Sequence, residues 1–185
     1  MGIKITDGLK KKIFIALISA GVGGPSAYVA TELTTPSEGF EVVAYKDTGG
    51  LQTYCVGHLA KKGEVVKKEY TEEECVQLFV QDWVIHERLL NSVVKVPYRS
   101  EWMKGALTDF TFNKGIGNVK SSTLLKELNA KRYDKACIEL TKWKYGKVNG
   151  IATVLPGLVI RASKQYSYCM GVEPTEYKSD IIRWE

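Results

Sequence analysis

Two carboxylic acids and a hydroxyl stand within one short stretch of this chain: Glu38, Asp47 and Thr53. The segment holding them, SEGFEVVAYKDTGGLQTYCVGH over residues 37–58, contains two β-like runs, Val42 to Lys46 and Leu51 to Val56. Asp47-Thr48-Gly49-Gly50 separates the runs, which is a hairpin signal. The hairpin brings Asp47, at the tip of the first strand, close to Thr53 on the returning strand. Glu38 ends a short helical segment and has to pack back to face them. Such a set suits cleavage of a glycosidic bond. One carboxyl protonates the leaving oxygen, and a second carboxylate stabilises the developing cation or activates water. A carboxyl half-buried at the root of a cleft can stay protonated near neutrality while a solvated one stays ionised. Spacing alone selects no chemistry, because Glu and Asp nine residues apart recur in most proteins.

The elements that must position these groups are legible around them. Residues 59–69 are polar and Lys-rich and read as loop with room for a short third strand. Thr71-Glu72-Glu73-Glu74 is a capping box, and Val76, Phe79, Val80, Trp83 and Leu90 follow at helical spacing, so a long helix runs to about residue 92. Ser100 caps a helix through about Phe112, ended by Lys114-Gly115-Ile116-Gly117. Ser121 or Ser122 starts another through Leu128, and Tyr133 to Trp143 forms the next, with Ala136, Cys137, Leu140 and Trp143 on one face. Lys144 to Val154 reads as irregular. Pro156 opens a last helix and Gly171 can end it. The expected fold class is α+β: a small α+β lobe with a β-hairpin, joined by the long helix to a helical lobe, with a cleft between.

Residues 13–31, IFIALISAGVGGPSAYVAT, carry no charged side chain and stand between Lys10-Lys11-Lys12 and Glu32. At about 1.5 Å rise per residue such a run can just cross a bilayer core of about 30 Å. The lysines favour leaving the N-terminus in the cytoplasm and the remainder in the periplasm. Small and helix-weakening residues from Gly21 to Ala27 make the second half a weak anchor. Two other readings compete. A cleaved signal peptide would need Tyr28 or Pro25 at the −3 position, both poor matches. A buried, Gly-rich core helix is the second. The anchor reading divides the chain into an N-terminal signal-anchor segment (1–31), a catalytic domain (32–171) and a tail (172–185).

The 185 residues suffice for one domain with a hydrophobic core plus this extension. Lys4, Lys10, Lys11 and Lys12 against Asp7 account for +3 of the formal charge of +5. The remaining +2 is too weak for nucleic-acid binding, though a mildly basic body suits an anionic substrate. Cys55, Cys75, Cys137 and Cys169 form no C-x-x-C pair and have no His at zinc-ligand spacing, so neither a metal nor a cofactor is expected. In an exported protein they read as two disulfides. Cys55–Cys75 and Cys137–Cys169 each fall within one lobe, which makes them the expected pairing.

EGFEVVAYKDTGGLQTYCVGH resembles the active-site segment of phage-type lysozymes: Glu, eight residues, Asp, five residues, Thr, then Gly-His. Glu38, Asp47, Thr53 and Gly57-His58 fit without a gap. TEEECVQLFVQDW resembles the family's inter-lobe helix, FNKGIGNVKSSTLLKELN its cleft-bordering Asn-x-Gly-x-Gly-Asn stretch, and PGLVIRASKQYSYC its last helix. Ala162 stands where the family has a second Arg, and Gln165 where it often has Glu. The resemblance implies Glu38 as general acid, with Asp47 and Thr53 holding the attacking water, and Phe112 and Asn113 as substrate contacts. It implies a monomeric, inverting muramidase that hydrolyses the β-1,4 bonds between N-acetylmuramic acid and N-acetylglucosamine of peptidoglycan, without a cofactor. His58 is expected to pair with Asp82 rather than act as a base, His86 to lie on the surface, and Arg161 to be an ion-pair or packing residue. Trp102, Trp143 and Tyr133 read as core.

The N-terminal run further resembles that of signal-anchor-release endolysins, which wait in the inner membrane and act after reaching the periplasm. No Cys precedes Cys55, so a thiol switch inside the anchor is not expected. Only residues 32–37 separate the uncharged run from Glu38, so the tethered form should hold Glu38 near the lipid and be nearly inactive. Two other functions compete with the muramidase. A catalytically inactive peptidoglycan-binding membrane protein would lack one of Glu38, Asp47 and Thr53. A lytic transglycosylase would use one Glu and no water-activating Asp.

Overall fold

The structure, a computed structural model, describes residues 4–46, 50–148 and 150–172. Asp47 therefore lies outside the described residues, as does the expected tail beyond Val172. The chain divides into two compact units, Met1–Ile85 and His86–Glu185.

In the first unit, α1 (Asp7–Ser19) starts at an N-cap Thr6 whose hydroxyl accepts the Leu9 N–H at 3.2 Å. The uncharged run does not continue as a single helix, contrary to the expectation of one span over residues 13–31. Gly21 takes φ +85°, its N–H donates to the Ile18 carbonyl at 2.9 Å, and the Val22 N–H donates to the Leu17 carbonyl at 3.0 Å. That pair of bonds is a Schellman ending, which glycine's freedom at positive φ permits. The backbone turns, and α2 (Gly24–Val29) begins with Pro25 in its first turn. No helix among the described residues is long and apolar enough to cross a membrane.

A π-helical segment (Ala30–Thr34) and α3 (Thr35–Glu38) follow α2 directly, with helical dihedrals at each junction, so Gly24–Glu38 is one continuous helical rod. The wide turn has a local cause. In a regular α-helix the Pro36 ring would clash with the carbonyl four residues back, that of Glu32. Opening the helix before it, with the Thr35 N–H donating to the Ala30 carbonyl, relieves the clash. Leu9, Ile13, Leu17, Ala27, Val29 and Leu33 are all at most 2 % exposed, and α1 packs against α2 and the π segment. Much of the uncharged run is thus core, and the Lys10–Glu32 ion pair at 2.6 Å ties α1 to the π segment.

Gly39, at φ +81°, ends the rod and turns the chain into β1 (Glu41–Lys46). β1 pairs antiparallel with β2 (Gln52–Cys55), and β2 with β3 (His58–Leu59). The β1–β2 register shifts between Glu41 and Tyr45, and the middle of β1 bonds instead to residues 68–70, with Tyr70 N–H donating to the Val42 carbonyl at 2.8 Å. The expected capping box opens α4 (Glu72–Asn91): the Glu74 N–H donates to Thr71 Oγ1 at 3.2 Å and the Thr71 N–H to Glu74 Oε2 at 3.0 Å. The division between the two units falls within this helix.

The second unit is mainly helical. α5 (Glu101–Ser121) starts at Ser100, as expected, and is broken at Gly115, whose φ of +77° and ψ of 153° are not helical. α6 (Thr123–Asn129) is capped by Ser122. α7 (Tyr133–Leu140) stops three residues short of the expected Trp143. The stretch read as irregular is a hairpin, β4 (Tyr145–Val148) with β5 (Ile151–Val154). Its strand residues are almost all exposed, so no alternation of buried and solvated positions announced it. α8 (Pro156–Met170) ends at Gly171 in the left-handed conformation. α8 packs on α5 and α7.

Candidate active site

Glu38 occupies the last turn of the rod, half-buried. Its carboxyl lies over the backbone of Gly57, in the turn between β2 and β3. A methyl group at Gly57 would sit 3.0 Å from Glu38 Oε2 and 3.4 Å from its Cδ. Gly57 adopts φ +65°, so its dihedral disfavours a side chain, and the carboxyl above it would have to give by a few tenths of an ångström to admit one. Thr53 lies on β2, opposite Tyr45 and Leu59, is 4 % exposed, and donates its hydroxyl to the Leu51 carbonyl at 3.3 Å. The rod therefore brings Glu38 to the turn of the sheet that carries Thr53. Asp47 follows the last residue of β1 in sequence and lies outside the described residues.

A polar cluster, buried at His58 and Asp82, supports the same turn. His58 Nδ1 is 2.6 Å from Asp82 Oδ2 on α4, the pairing expected from the sequence, and His58 is 5 % exposed. The sequence reading missed the continuation of the cluster. His58 Nε2 is 3.3 Å from Glu64 Oε1, Tyr54 donates its hydroxyl to Glu64, and the Tyr54 and Tyr70 rings stack at 4.4 Å. The hydrogen bond to Asp82 raises the His58 pKa above its ordinary value despite the opposing effect of burial. Tyr54 and the Lys61 N–H, both donating to Glu64, push its carboxyl down to about 2. Burial and the Glu64 carboxylate push the Tyr54 phenol up. With both ring nitrogens of His58 engaged by carboxylates, its role is to hold the turn. Glu64 was hidden because it sits in a polar loop, where a carboxylate reads as solvated.

The phage lysozyme family model matches residues 35–165, a stretch that contains Glu38 and Thr53. The chain belongs to the phage lysozyme family. The SAR-endolysin of Enterobacteria phage P21 is 37% identical over 134 residues, covering 69% of this chain and 80% of that protein. The SAR-endolysin of Pseudomonas phage phiKMV is 33% identical over 146 residues, covering 78% and 87%. Among solved structures, the muramidase domain of SpmX from Asticaccaulis excentricus superposes with a TM-score of 0.67 at 25% identity, covering 75% of this chain and 92% of that one. The active form of P1 phage endolysin Lyz superposes at 0.72 with 20% identity, covering 88% and 93%, and shows the shared fold. Membership makes this protein an endolysin-type lysozyme, a glycoside hydrolase acting on peptidoglycan, with the lysozyme-like α+β fold.

In the second unit of this phage lysozyme, the Phe112 ring lies 4.8 Å from that of His86. Phe112 and Asn113 are half-buried, and so is His86, contrary to the expectation that it lies on the surface. The ring contact, invisible in a helical periodicity, withdraws that imidazole from water. Arg161 is an ion-pair residue: its Nη2 and Nε reach Asp109 at 2.7 and 3.1 Å, and Gln165 donates to the same carboxylate at 2.7 Å. Gln165 thus completes a buried pair as a neutral donor, where a Glu would bring a second negative charge beside Asp109. Both expected disulfides are present, Cys55–Cys75 and Cys137–Cys169, with Cα atoms 4.8 and 5.6 Å apart.

Proposed function

We propose that this lysozyme is an inverting muramidase that cleaves the β-1,4 bonds between N-acetylmuramic acid and N-acetylglucosamine and so lyses the host cell. Glu38 is the general acid on the glycosidic oxygen, and Asp47 and Thr53 hold the attacking water, with Phe112 and Asn113 contacting the glycan. The observation that carries this reading is the placement of the Glu38 carboxyl over Gly57, at the turn of the sheet that carries Thr53. Glu38→Gln keeps the shape and removes the acid proton. It should cut clearing of outer-membrane-permeabilised Gram-negative cells by ~10²–10⁴-fold. Substantial clearing by a folded Glu38→Gln protein would sink the assignment. Product analysis separates a muramidase, which leaves reducing ends, from a lytic transglycosylase, which leaves 1,6-anhydro ends.

The same reading includes a tethered state, in which residues 1–31 anchor a monomeric catalytic domain (32–171) in the inner membrane, facing the periplasm, until release. Two observations support it. Ile13, Leu17, Ala27, Val29 and Ala30 are fully buried in the fold described above, so they can serve the core or a bilayer but not both at once. The rod that carries Glu38 begins inside the uncharged run, and helical residues 32–37 span only ~9 Å. Withdrawing the run into lipid pulls Glu38 off its seat. Replacing Gly21, Gly23 and Gly24 together by Leu adds apolar area that favours lipid and removes the Schellman turn. That variant should stay membrane-bound and delay lysis. Lysis at the wild-type rate by protein still in the membrane fraction would show that the tether is not the switch.

A further inference from the structure

The turn under Glu38 is fastened to one helix on both sides. Tyr54 pairs with His58 across the β2–β3 ladder, leaving Cys55, Val56 and Gly57 as the connection. Cys55 has φ +56°, a region unfavourable to a residue with a Cβ, and Gly57 has φ +65°. Before Gly57, the Cys55–Cys75 disulfide ties the turn to the start of α4. After it, His58 holds Asp82, seven residues further along the same helix and hence on the same face. Gly57 lies between these two fastenings. Among the described residues it is the only glycine at positive φ with a side chain within 4 Å of the place its Cβ would occupy, and that side chain is Glu38. The disulfide is buried, both sulfur residues being at most 1 % exposed.

We infer that the Cys55–Cys75 disulfide is a positioning group for catalysis: it holds the Cys55–Gly57 turn in a left-handed conformation and thereby sets where the Glu38 carboxyl can lie. This rests on the proposed role of Glu38. Without the bond, Cys55 is free to relax toward negative φ, the backbone of Gly57 moves with it, and the carboxyl loses the floor beneath it. A displacement of about an ångström at a general acid is enough to cost ~10²-fold in rate. The Cys137–Cys169 bond lies in the second unit and joins α7 to α8, so it serves as the matched control.

The test measures kcat, KM and the pH profile of kcat on purified soluble peptidoglycan glycan fragments, in the full chain and well below its melting temperature. The Cys55→Ser/Cys75→Ser protein should lose ~10–100-fold in kcat with KM kept within about twofold, and the pH limb belonging to the acid should shift. The Cys137→Ser/Cys169→Ser protein should melt earlier and keep its kcat. Should the first double variant fail to fold, a pair of glycine variants decides. Gly57→Ala and Gly63→Ala share a positive φ, but only the first brings a methyl group to Glu38. Gly57→Ala should lose kcat at least tenfold more than Gly63→Ala. Wild-type kcat and pH profile in a folded Cys55→Ser/Cys75→Ser protein, or equal effects of the two glycine variants, would overturn the inference. Either result with Glu38→Gln inactive removes the positioning alone. An active Glu38→Gln removes the role of Glu38 and the positioning with it.

Discussion

Among the described residues, each unit of this lysozyme contains a disulfide, an ionic cluster with a buried centre and an interrupted helix, and the two sets do different work. In the first unit the helix is widened by a π turn, the disulfide fastens the turn beneath Glu38, and the ionic cluster is built on a histidine and two carboxylates. In the second, α5 breaks at Gly115, the disulfide joins α7 to α8, and the cluster is Asp109 with Arg161 and Gln165, linking α5 to α8. An arginine stays charged at any pH the protein meets, so the second cluster is a fixed joint. A histidine titrates near neutrality, so the first varies with its surroundings. The groups proposed as catalytic, Glu38 and Thr53 among the described residues, lie in the unit whose joints can change.

The sharpest way to break this contrast is to remove one carboxylate from each cluster. Asp109→Ala leaves the Arg161 guanidinium buried without its counter-charge and should cost ~3–5 kcal/mol of stability. The loss is read by thermal or chemical denaturation. Asp82→Asn keeps the shape and weakens a hydrogen bond to a histidine that is still held by Glu64, and should cost ~1–3 kcal/mol by thermal denaturation. Equal losses from the two variants would erase the difference between the clusters.

The pH dependence sharpens the contrast further. The His58 pKa is raised in the folded protein, so its contribution to stability is whole below the ordinary value of 6.5 and is lost as pH rises through the raised value. The Glu64 pKa is lowered from 4.5 to about 2, so its contribution is whole above 4.5 and is lost as pH falls toward 2. Together they favour the fold most between about pH 4.5 and 6.5. Asp82→Asn should flatten the decline on the alkaline side, measured as the melting-temperature difference from wild type across pH 5 to 9. A difference that stays constant over that range would refute the assignment. The smallest effect is expected at the break in the N-terminal run. Gly21→Ala puts a Cβ at φ +85° in open space, so only the dihedral resists, at ~1 kcal/mol. A stabilised Gly21→Ala protein would mean that the Schellman turn is not what ends α1.

Local chemistry wrote much of this protein into its sequence. The capping box at Thr71–Glu74, the Ser100 and Ser122 caps, the Gly115 break and the Gly171 ending each depend on residues within a few positions of one another. The Glu38–Asp47–Thr53 spacing with its Gly-His pointed to the family by the same local logic. The disulfide pairing followed from which segments share a lobe. Other features required the folded chain. An uncharged run of 19 residues satisfies a bilayer and a protein core equally well, since both reward apolar area. Only the packing of α1 against the rod makes it core here. The π turn arises where Pro36 meets a helix that tertiary contacts hold in place, and the β4–β5 hairpin has no buried face to imprint a period. Glu64 and Gln165 gained their roles from partners 6 and 56 residues away, His58 and Asp109. The seat of Glu38 on Gly57 joins a helix to a turn 19 residues later, a meeting that depends on how the rod packs and that no local propensity encodes.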